Sequence, residues 1–251
     1  MPRITCEHIK YSYFDKKGNN KAQVFLDFNA TFEDKKISII LGPSGCGKTT
    51  LLNLISGLKG NYEGDILFDN VSTSKITMRD RDLAYITQNV VLYPKMTVFE
   101  NIAFPLKFTL LKQEEINQRV RDIADKLGIG HCLTRKPKYL SYGQQHRVSI
   151  AKALIKEPTL LLCDEPFTGL DPLIRDELTK LLKDYIKEKN ITCLFVTHDY
   201  YEALRLGDEI FLLEDGVVSL KGDNIKLRAI DNEYLNALKN ESTLNEEVIN
   251  G

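Results

Sequence analysis

The sequence contains no apolar run approaching the roughly 18 to 20 residues that a bilayer-crossing helix requires. Its longest candidates, Ile37–Leu41 and Leu160–Cys163, have the length of single strands, so a membrane-spanning chain is not expected. No charge of either sign dominates. Lys and Arg number 34 against 35 Asp and Glu, a formal net charge of -1, which leaves no global footprint for nucleic acid or an anionic membrane. Cysteine is sparse and unpatterned. The five residues Cys6, Cys46, Cys132, Cys163 and Cys193 are odd in number and form no C-x-x-C pair. That argues against a disulfide framework and a zinc site, and fits a reducing compartment. The opening residues, Met1 to His8, lack the apolar core of a signal peptide, so the chain is expected to stay in the compartment where it is made. No internal repeat or low-complexity tract is present.

What remains is an ordinary globular composition. With 251 residues, 43% hydrophobic and 27% charged, the chain can bury a full core as one large domain. Two β-rich segments, Ile4–Tyr13 and Val24–Glu33, flank the polar turn Asp15-Lys16-Lys17-Gly18-Asn19-Asn20, a hairpin-like arrangement. Further strands are expected at Ile37–Leu41, Gly64–Asp69 and Leu83–Thr87, with a helix over Lys48–Ser56. From Val98 to about Glu157 the pattern is helical, with amphipathic helices at Gln113–Leu127 and Gln144–Ile155. Strand and helix alternate again afterwards, through Leu160–Cys163, Leu173–Lys189, Thr192–Thr197, Tyr201–Leu206 and the pair Glu209–Leu213 and Val217–Leu220 around Asp215-Gly216. Buried strands separated by helices predict an α/β core with a mostly parallel sheet, interrupted by a helical insertion. The polar residues Glu241–Gly251 are expected to fray.

Two motifs carry chemistry. Gly42-Pro43-Ser44-Gly45-Cys46-Gly47-Lys48-Thr49 matches G-x-x-x-x-G-K-[ST] and lies between an expected strand and an expected helix that includes Thr50. Backbone N–H groups at such a helix start cradle phosphates. Lys48 is expected to neutralise the β- and γ-phosphates and Thr49 to ligate Mg²⁺. Cys46 reads as a small structural residue of the loop. The second motif, Leu160-Leu161-Leu162-Cys163-Asp164-Glu165-Pro166, sets two carboxylates at the C-terminal end of an apolar strand, where ligands gather in open α/β sheets. Asp164 is expected to hold Mg²⁺. Glu165 is left to polarise an attacking water.

From about Ile4 to about Asp223 the chain resembles the ATP-binding cassette (ABC) ATPases that power membrane transporters. Beyond the two phosphate motifs, the resemblance rests on Leu140-Ser141-Tyr142-Gly143-Gln144, similar to the signature L-S-G-G-Q, and on Thr168-Gly169-Leu170-Asp171 followed by Thr197-His198-Asp199. It implies a P-loop NTPase (RecA-like) α/β core with a mostly parallel sheet, an N-terminal antiparallel β part and an inserted α-helical subdomain. Residues 1–90 and 158–223 would form the core, 91–157 the helical signature subdomain, and 224–251 a C-terminal helix and tail of one domain, 1–251. In that family two subunits sandwich two ATP molecules head to tail. Ser141, Gly143 and Gln144 would then cap the γ-phosphate held by the opposite subunit, in keeping with the anion preference of a helix start. The resemblance also has Gln88 contact Mg²⁺, His198 bind the γ-phosphate and Asp171 organise the dimer interface. Tyr13 would stack on adenine, with Tyr11 the second choice. Tyr142 departs from the family's usual glycine, and a ring there is tolerated only if the position is helical in φ.

The segment Leu92–Ile102 resembles bacterial importer ATPases of the sugar type, while Gly42–Ile55 looks equally like nitrate, sulfonate and taurine importers. The solute is left open. Implied are transmembrane permease subunits, a second ATPase subunit, a solute-binding protein, and a cytoplasmic position on the inner face of the cell membrane, with no nucleic acid. The alternative is a cassette ATPase without a transport role, acting on DNA or ribosomes; a P-loop kinase would leave the signature and His198 unexplained.

Overall fold

A computed structural model describes residues 2–14, 20–223, 226 and 234–238; the fraying expected of Glu241–Gly251 lies outside the described residues. Strands β1 (Ile4–Phe14) and β2 (Asn20–Phe32) pair antiparallel, and β1 pairs on its other edge with β4 (Glu63–Phe68), which carries the short β5 (Val71–Ser72). These four form one sheet in the order β2-β1-β4-β5. Strand β2 starts at Asn20 rather than at the expected Val24, because the pairing of Phe14 with Asn20 carries the hairpin through polar residues that have no apolar signal of their own.

The second sheet has the order β10-β9-β3-β8-β7-β6. It comprises β3 (Ile37–Leu41), β6 (Leu83–Ile86), β7 (Leu160–Asp164), β8 (Thr192–Val196), β9 (Glu209–Glu214) and β10 (Val217–Gly222). All neighbours in it run parallel except β10 against β9. Every residue of β3, β7 and β8 is buried, as expected of parallel strands covered on both faces. Alternation along each strand feeds two cores. Leu161, Cys163, Cys193 and Phe195 point into one, with α5 (Pro172–Lys189), α6 (Tyr200–Leu206) and the helical block. Leu160, Leu162, Leu194 and Val196 point into the other, with α1 (Lys48–Ser56) and the phenylalanines Phe25, Phe28 and Phe32 of β2.

The helical block holds α2 (Val98–Ala103), α3 (Gln113–Lys126) and α4 (Tyr142–Leu154), joined by short 3-10 turns. Two starts are set by reciprocal capping boxes, Thr97 with Glu100 and Ser141 with Gln144. Hence α4 begins at Tyr142, two residues before the periodicity suggests, because a cap is a hydrogen-bonding event and not an apolar one. Buried Asn101 bonds the backbone of Tyr93, Met96 and Thr97 through its amide and fixes the segment ahead of α2.

A phosphate-type loop and an acidic strand end

The loop between β3 and α1 is shaped by close approach. A Cβ on Gly42 would stand 2.1 Å from the carbonyl oxygen of Leu213, and Gly47, at φ 110°, would drive one to 2.8 Å from Val24. Neither position admits another residue without displacing backbone or core. Gly47 is also the N-cap of α1 and supplies no side-chain cap, so the helix start offers backbone N–H groups and the positive end of its dipole. Pro43, Ser44, Gly45 and Cys46 complete the turn, with the Cys46 N–H on the Pro43 carbonyl at 3.4 Å. Burial raises the Cys46 thiol above its ordinary value, which favours the inert reading of that side chain. Lys48 is buried, and its Nζ donates to the carbonyls of Gly42 at 2.7 Å and Pro43 at 2.9 Å. A primary ammonium is thus folded over the cradle.

Opposite the loop, Asp164 is the last residue of β7 rather than the first beyond it, its backbone in register with Val196. Thr49 Oγ1 donates to Asp164 Oδ1 at 3.0 Å, and the Tyr85 hydroxyl approaches Oδ2 at 3.4 Å. Burial pushes the Asp164 carboxyl above its usual range; the Thr49 bond opposes this, the neighbouring Glu165 charge adds to it, and Tyr85 and Lys48 oppose it. The pair Thr49–Asp164 presents hard oxygen donors, the set that Mg²⁺ takes when phosphate oxygens and water fill its remaining positions. No group of three His, Cys, Asp or Glu suited to a metal occurs among the described residues.

Glu165 leaves the strand in the left-handed region, at φ 46°. Its N–H is held by the Val196 carbonyl at 3.0 Å. Such a conformation costs about 1 to 3 kcal/mol for a non-glycine residue and persists where the surroundings determine it. It aims the carboxylate at His198, whose Nδ1 lies 2.9 Å from Glu165 Oε2, with Thr168 Oγ1 at 3.3 Å. The His198 bond chiefly holds the Glu165 carboxyl below its usual value, and the same bond raises the His198 imidazole. The pair contributes fully between the ordinary values of 4.5 and 6.5, fades as pH falls through the depressed carboxyl value, and fades as pH rises through the raised imidazole value.

Tyr13, on β1, reaches α1: its hydroxyl lies 2.8 Å from Thr50 Oγ1, the Lys59 ammonium stands 4.7 Å from its ring centroid, and Tyr11 packs edge-on at 5.3 Å. The structure thus gathers Tyr13, Lys48, Thr49, Thr50, Asp164, Glu165 and His198 around one end of the parallel sheet. Gln88 is exposed just beyond β6. Since Ile86 pairs with Cys163, Gln88 leaves the same sheet end as Glu165.

The signature residues do not join this cluster. Ser141 and Gln144 cap each other at the start of α4, which packs on α2, α3 and β6. Gly143 is buried, 3.3 Å from Ile174 by the position of an added Cβ. Asp171 caps α5, accepting the Leu173 N–H at 3.0 Å. Tyr142 is the first residue of α4 with no positive φ, half-exposed, its ring edge-on to His146 at 4.5 Å. No glycine is therefore required there. Tyr142→Gly is expected to lower stability by about 1 kcal/mol, through the lost ring contact and the added backbone entropy. A denaturation midpoint that rises instead would show that the ring strains the cap. Sequence reasoning missed Arg175 and Glu202 as partners of the site, and no local pattern points to these two; Thr168 stands in the motif ahead of Asp171, but its bond to Glu165 is visible only in the fold.

The family model described as ABC transporter matches residues 25–168. Among curated relatives, an uncharacterised ABC transporter ATP-binding protein, YurJ of Bacillus subtilis, is 38% identical over 218 residues, 87% of this chain and 58% of the relative. The trehalose/maltose import ATP-binding protein MalK of Thermococcus litoralis is 40% identical over 196 residues, 76% of this chain and 53% of the relative. The chain thus spans less than two thirds of the length of these relatives. A dimeric post-hydrolysis structure of the ATP-binding cassette MJ0796, bound to ADP and Pi, superposes with a TM-score of 0.79 at 29% identity, covering 88% of this chain and 98% of that one.

Proposed function

The chain belongs to the ABC transporter family of ATP-binding proteins, and we propose that it binds and hydrolyses ATP as the motor subunit of a membrane transporter, an importer of solutes. The observation that carries this reading is the convergence of Lys48, Thr49–Asp164 and Glu165–His198 at one end of the parallel sheet. A triphosphate chain laid on the loop would take N–H donors from residues 44–50 and the Lys48 ammonium, with adenine against the Tyr13 ring. Thr49, Asp164 and Gln88 would hold Mg²⁺, which when bound neutralises charge on the phosphate oxygens. Lys48 would leave the carbonyls of Gly42 and Pro43 for the β- and γ-phosphates, exchanging neutral acceptors for charged ones.

A carboxylate held below its usual range is a weak base. His198 therefore has to exchange Glu165 for a γ-phosphate oxygen, which frees Glu165 Oε2 to orient and deprotonate the attacking water. The start of α4, with its capping Ser141, makes its hydrogen bonds within the signature segment and not to the loop of its own chain. It would cap the γ-phosphate on a second subunit, with Asp171 at the junction, so that two cassettes enclose two ATP. The dimer with ADP and Pi among the relatives supports this arrangement. Residues 91–157 would act as the signature subdomain, moving against the core formed by 1–90 and 158–223. A groove of about 420 Å³ between β6 and α4, lined in part by the exposed Val91, would receive the permease subunits. Import rests on likeness to the MalK relative, and a solute-binding protein follows from it. No helix among the described residues is long and apolar enough to cross a membrane. Association with the membrane would run through the permease subunits, on the cytoplasmic side.

The test is purification of the tagged protein from native membranes in mild detergent with ATP. Two integral membrane subunits, or two copies of one, are expected alongside it. Recovery with ribosomal or DNA-bound complexes and without membrane subunits would overturn the transport reading.

A further inference from the structure

Glu202 is a carboxylate that the proposed reaction does not use, yet it sits buried on α6 directly behind His198. Thr197 donates its hydroxyl to Glu202 Oε2. The same Thr197 oxygen accepts the Asp199 N–H at 3.0 Å. From α5, Thr179 Oγ1 reaches Glu202 Oε1 at 3.5 Å. Next to it, Asp199 Oδ1 accepts the Glu202 N–H at 2.8 Å while Oδ2 pairs with Arg175 of α5 at 3.0 Å. Arg175 and Thr179 are one turn apart and share a face of α5. Two polar links thus brace the residues on either side of His198 against the helix that Asp171 caps. A buried hydroxyl such as Thr197 could be satisfied by a neutral acceptor, which is cheaper to bury than a carboxylate. A charge kept at that cost next to a reacting group calls for a role.

We propose that Glu202 is a positioning residue for hydrolysis: its carboxylate fixes Thr197 and, together with the Arg175–Asp199 pair, ties His198 beside Glu165 to helix α5. The inference rests on the ATPase reading above. It makes the geometry at the γ-phosphate follow any shift of α5, and hence the state of the segment around Asp171.

The electrostatics support it. Burial lifts the Glu202 carboxyl to about 7; the Thr197 bond opposes this, Asp199 adds to it, and Arg175 and His198 oppose it. The Cys163 thiol of β7 also faces Glu202, and its own protonated form is favoured by burial. Since the folded value exceeds the ordinary 4.5, the native state holds more protons between the two. Ionised Glu202 therefore costs stability as pH rises from the ordinary value to the folded one, and the full cost is present above it.

The experiment compares wild type and Glu202→Gln in the full chain by thermal melting, ATP binding and steady-state ATP hydrolysis from about pH 6 to about pH 9. The amide keeps an acceptor for Thr197 and offers a donor to Thr179, but it cannot ionise. At about pH 8 the variant is expected to melt above wild type while its kcat falls about tenfold and its KM stays within about twofold. The rise of wild-type kcat that accompanies Glu202 ionisation is expected to vanish, leaving only the titration of His198, which both proteins share. A purely structural carboxylate would instead lower the melting temperature and leave the shape of the pH profile unchanged. Should Glu202→Gln fail to fold, Thr179→Val is expected to cut kcat about threefold and Thr179→Ser to restore it. Wild-type kcat in Glu202→Gln, an unchanged pH profile, or wild-type kcat in Thr179→Val overturns the proposal. A wild-type protein that does not hydrolyse ATP would overturn the ATPase reading itself.

Discussion

Replacing Glu165 with Gln is expected to lower ATP turnover by about 10²- to 10⁴-fold while the affinity for ATP stays within about threefold. The amide is isosteric, so it can keep the left-handed turn at φ 46° and the Thr168 contact of 3.3 Å. What it cannot do is take a proton. The nucleotide contacts assigned to the loop involve other side chains, so ground-state binding is spared while the interaction made in the transition state is lost. The same substitution removes the negative partner of His198, whose imidazole is then no longer held above its ordinary value by that bond. A neutral His198 can still donate one hydrogen bond to a phosphate oxygen. The variant should therefore bind ATP and accumulate as a closed dimer, read by size-exclusion chromatography with ATP and by phosphate release. Hydrolysis at the wild-type rate would remove Glu165 from the role of base.

Much of this architecture is legible in the residues themselves. The parallel strands are continuous apolar runs because both of their faces are covered, and Ile37–Leu41 is expected and observed with the same bounds. The phosphate-type loop announces itself because two of its glycines, Gly42 and Gly47, answer to contacts that no side chain allows, as at Gly42 against Leu213. Less legible are features made by hydrogen bonds. The start of α4 at Tyr142 depends on a capping box that leaves no periodic trace, and β2 begins in Asn20, whose place is set by its partner Phe14. The network around Glu202 is hidden for a further reason. Arg175, Thr179, Thr197, Asp199 and Glu202 come from two helices and a strand end, and only the packing of α5 on α6 brings them together. Spacing rules read one element at a time, so a charge shared between elements escapes them.

Lys48→Ala is expected to leave the fold intact while weakening ATP binding about 10- to 100-fold, the equivalent of losing one charge-assisted hydrogen bond. Both effects rest on the same contacts. In this structure the Lys48 ammonium is buried and held by two neutral carbonyls, at 2.7 and 2.9 Å, which repay only part of its desolvation. Removing it strips hydrogen bonds from Gly42 and Pro43 but also removes the cost of burying an ammonium, so the melting temperature should shift by no more than about 2 to 4 °C. With a triphosphate in the cradle, the balance reverses. The acceptors are then anionic, the neighbouring N–H groups of α1 are engaged, and no other cation among the residues assigned to the loop can take the place of Lys48. Lys48→Arg should not rescue binding, since a planar fork is larger than a point ammonium and cannot follow the same path over Gly42. Calorimetric titration of both variants with a non-hydrolysable ATP analogue, alongside thermal melting, separates the two effects. Unchanged affinity in a folded Lys48→Ala protein would place the phosphates somewhere other than this loop.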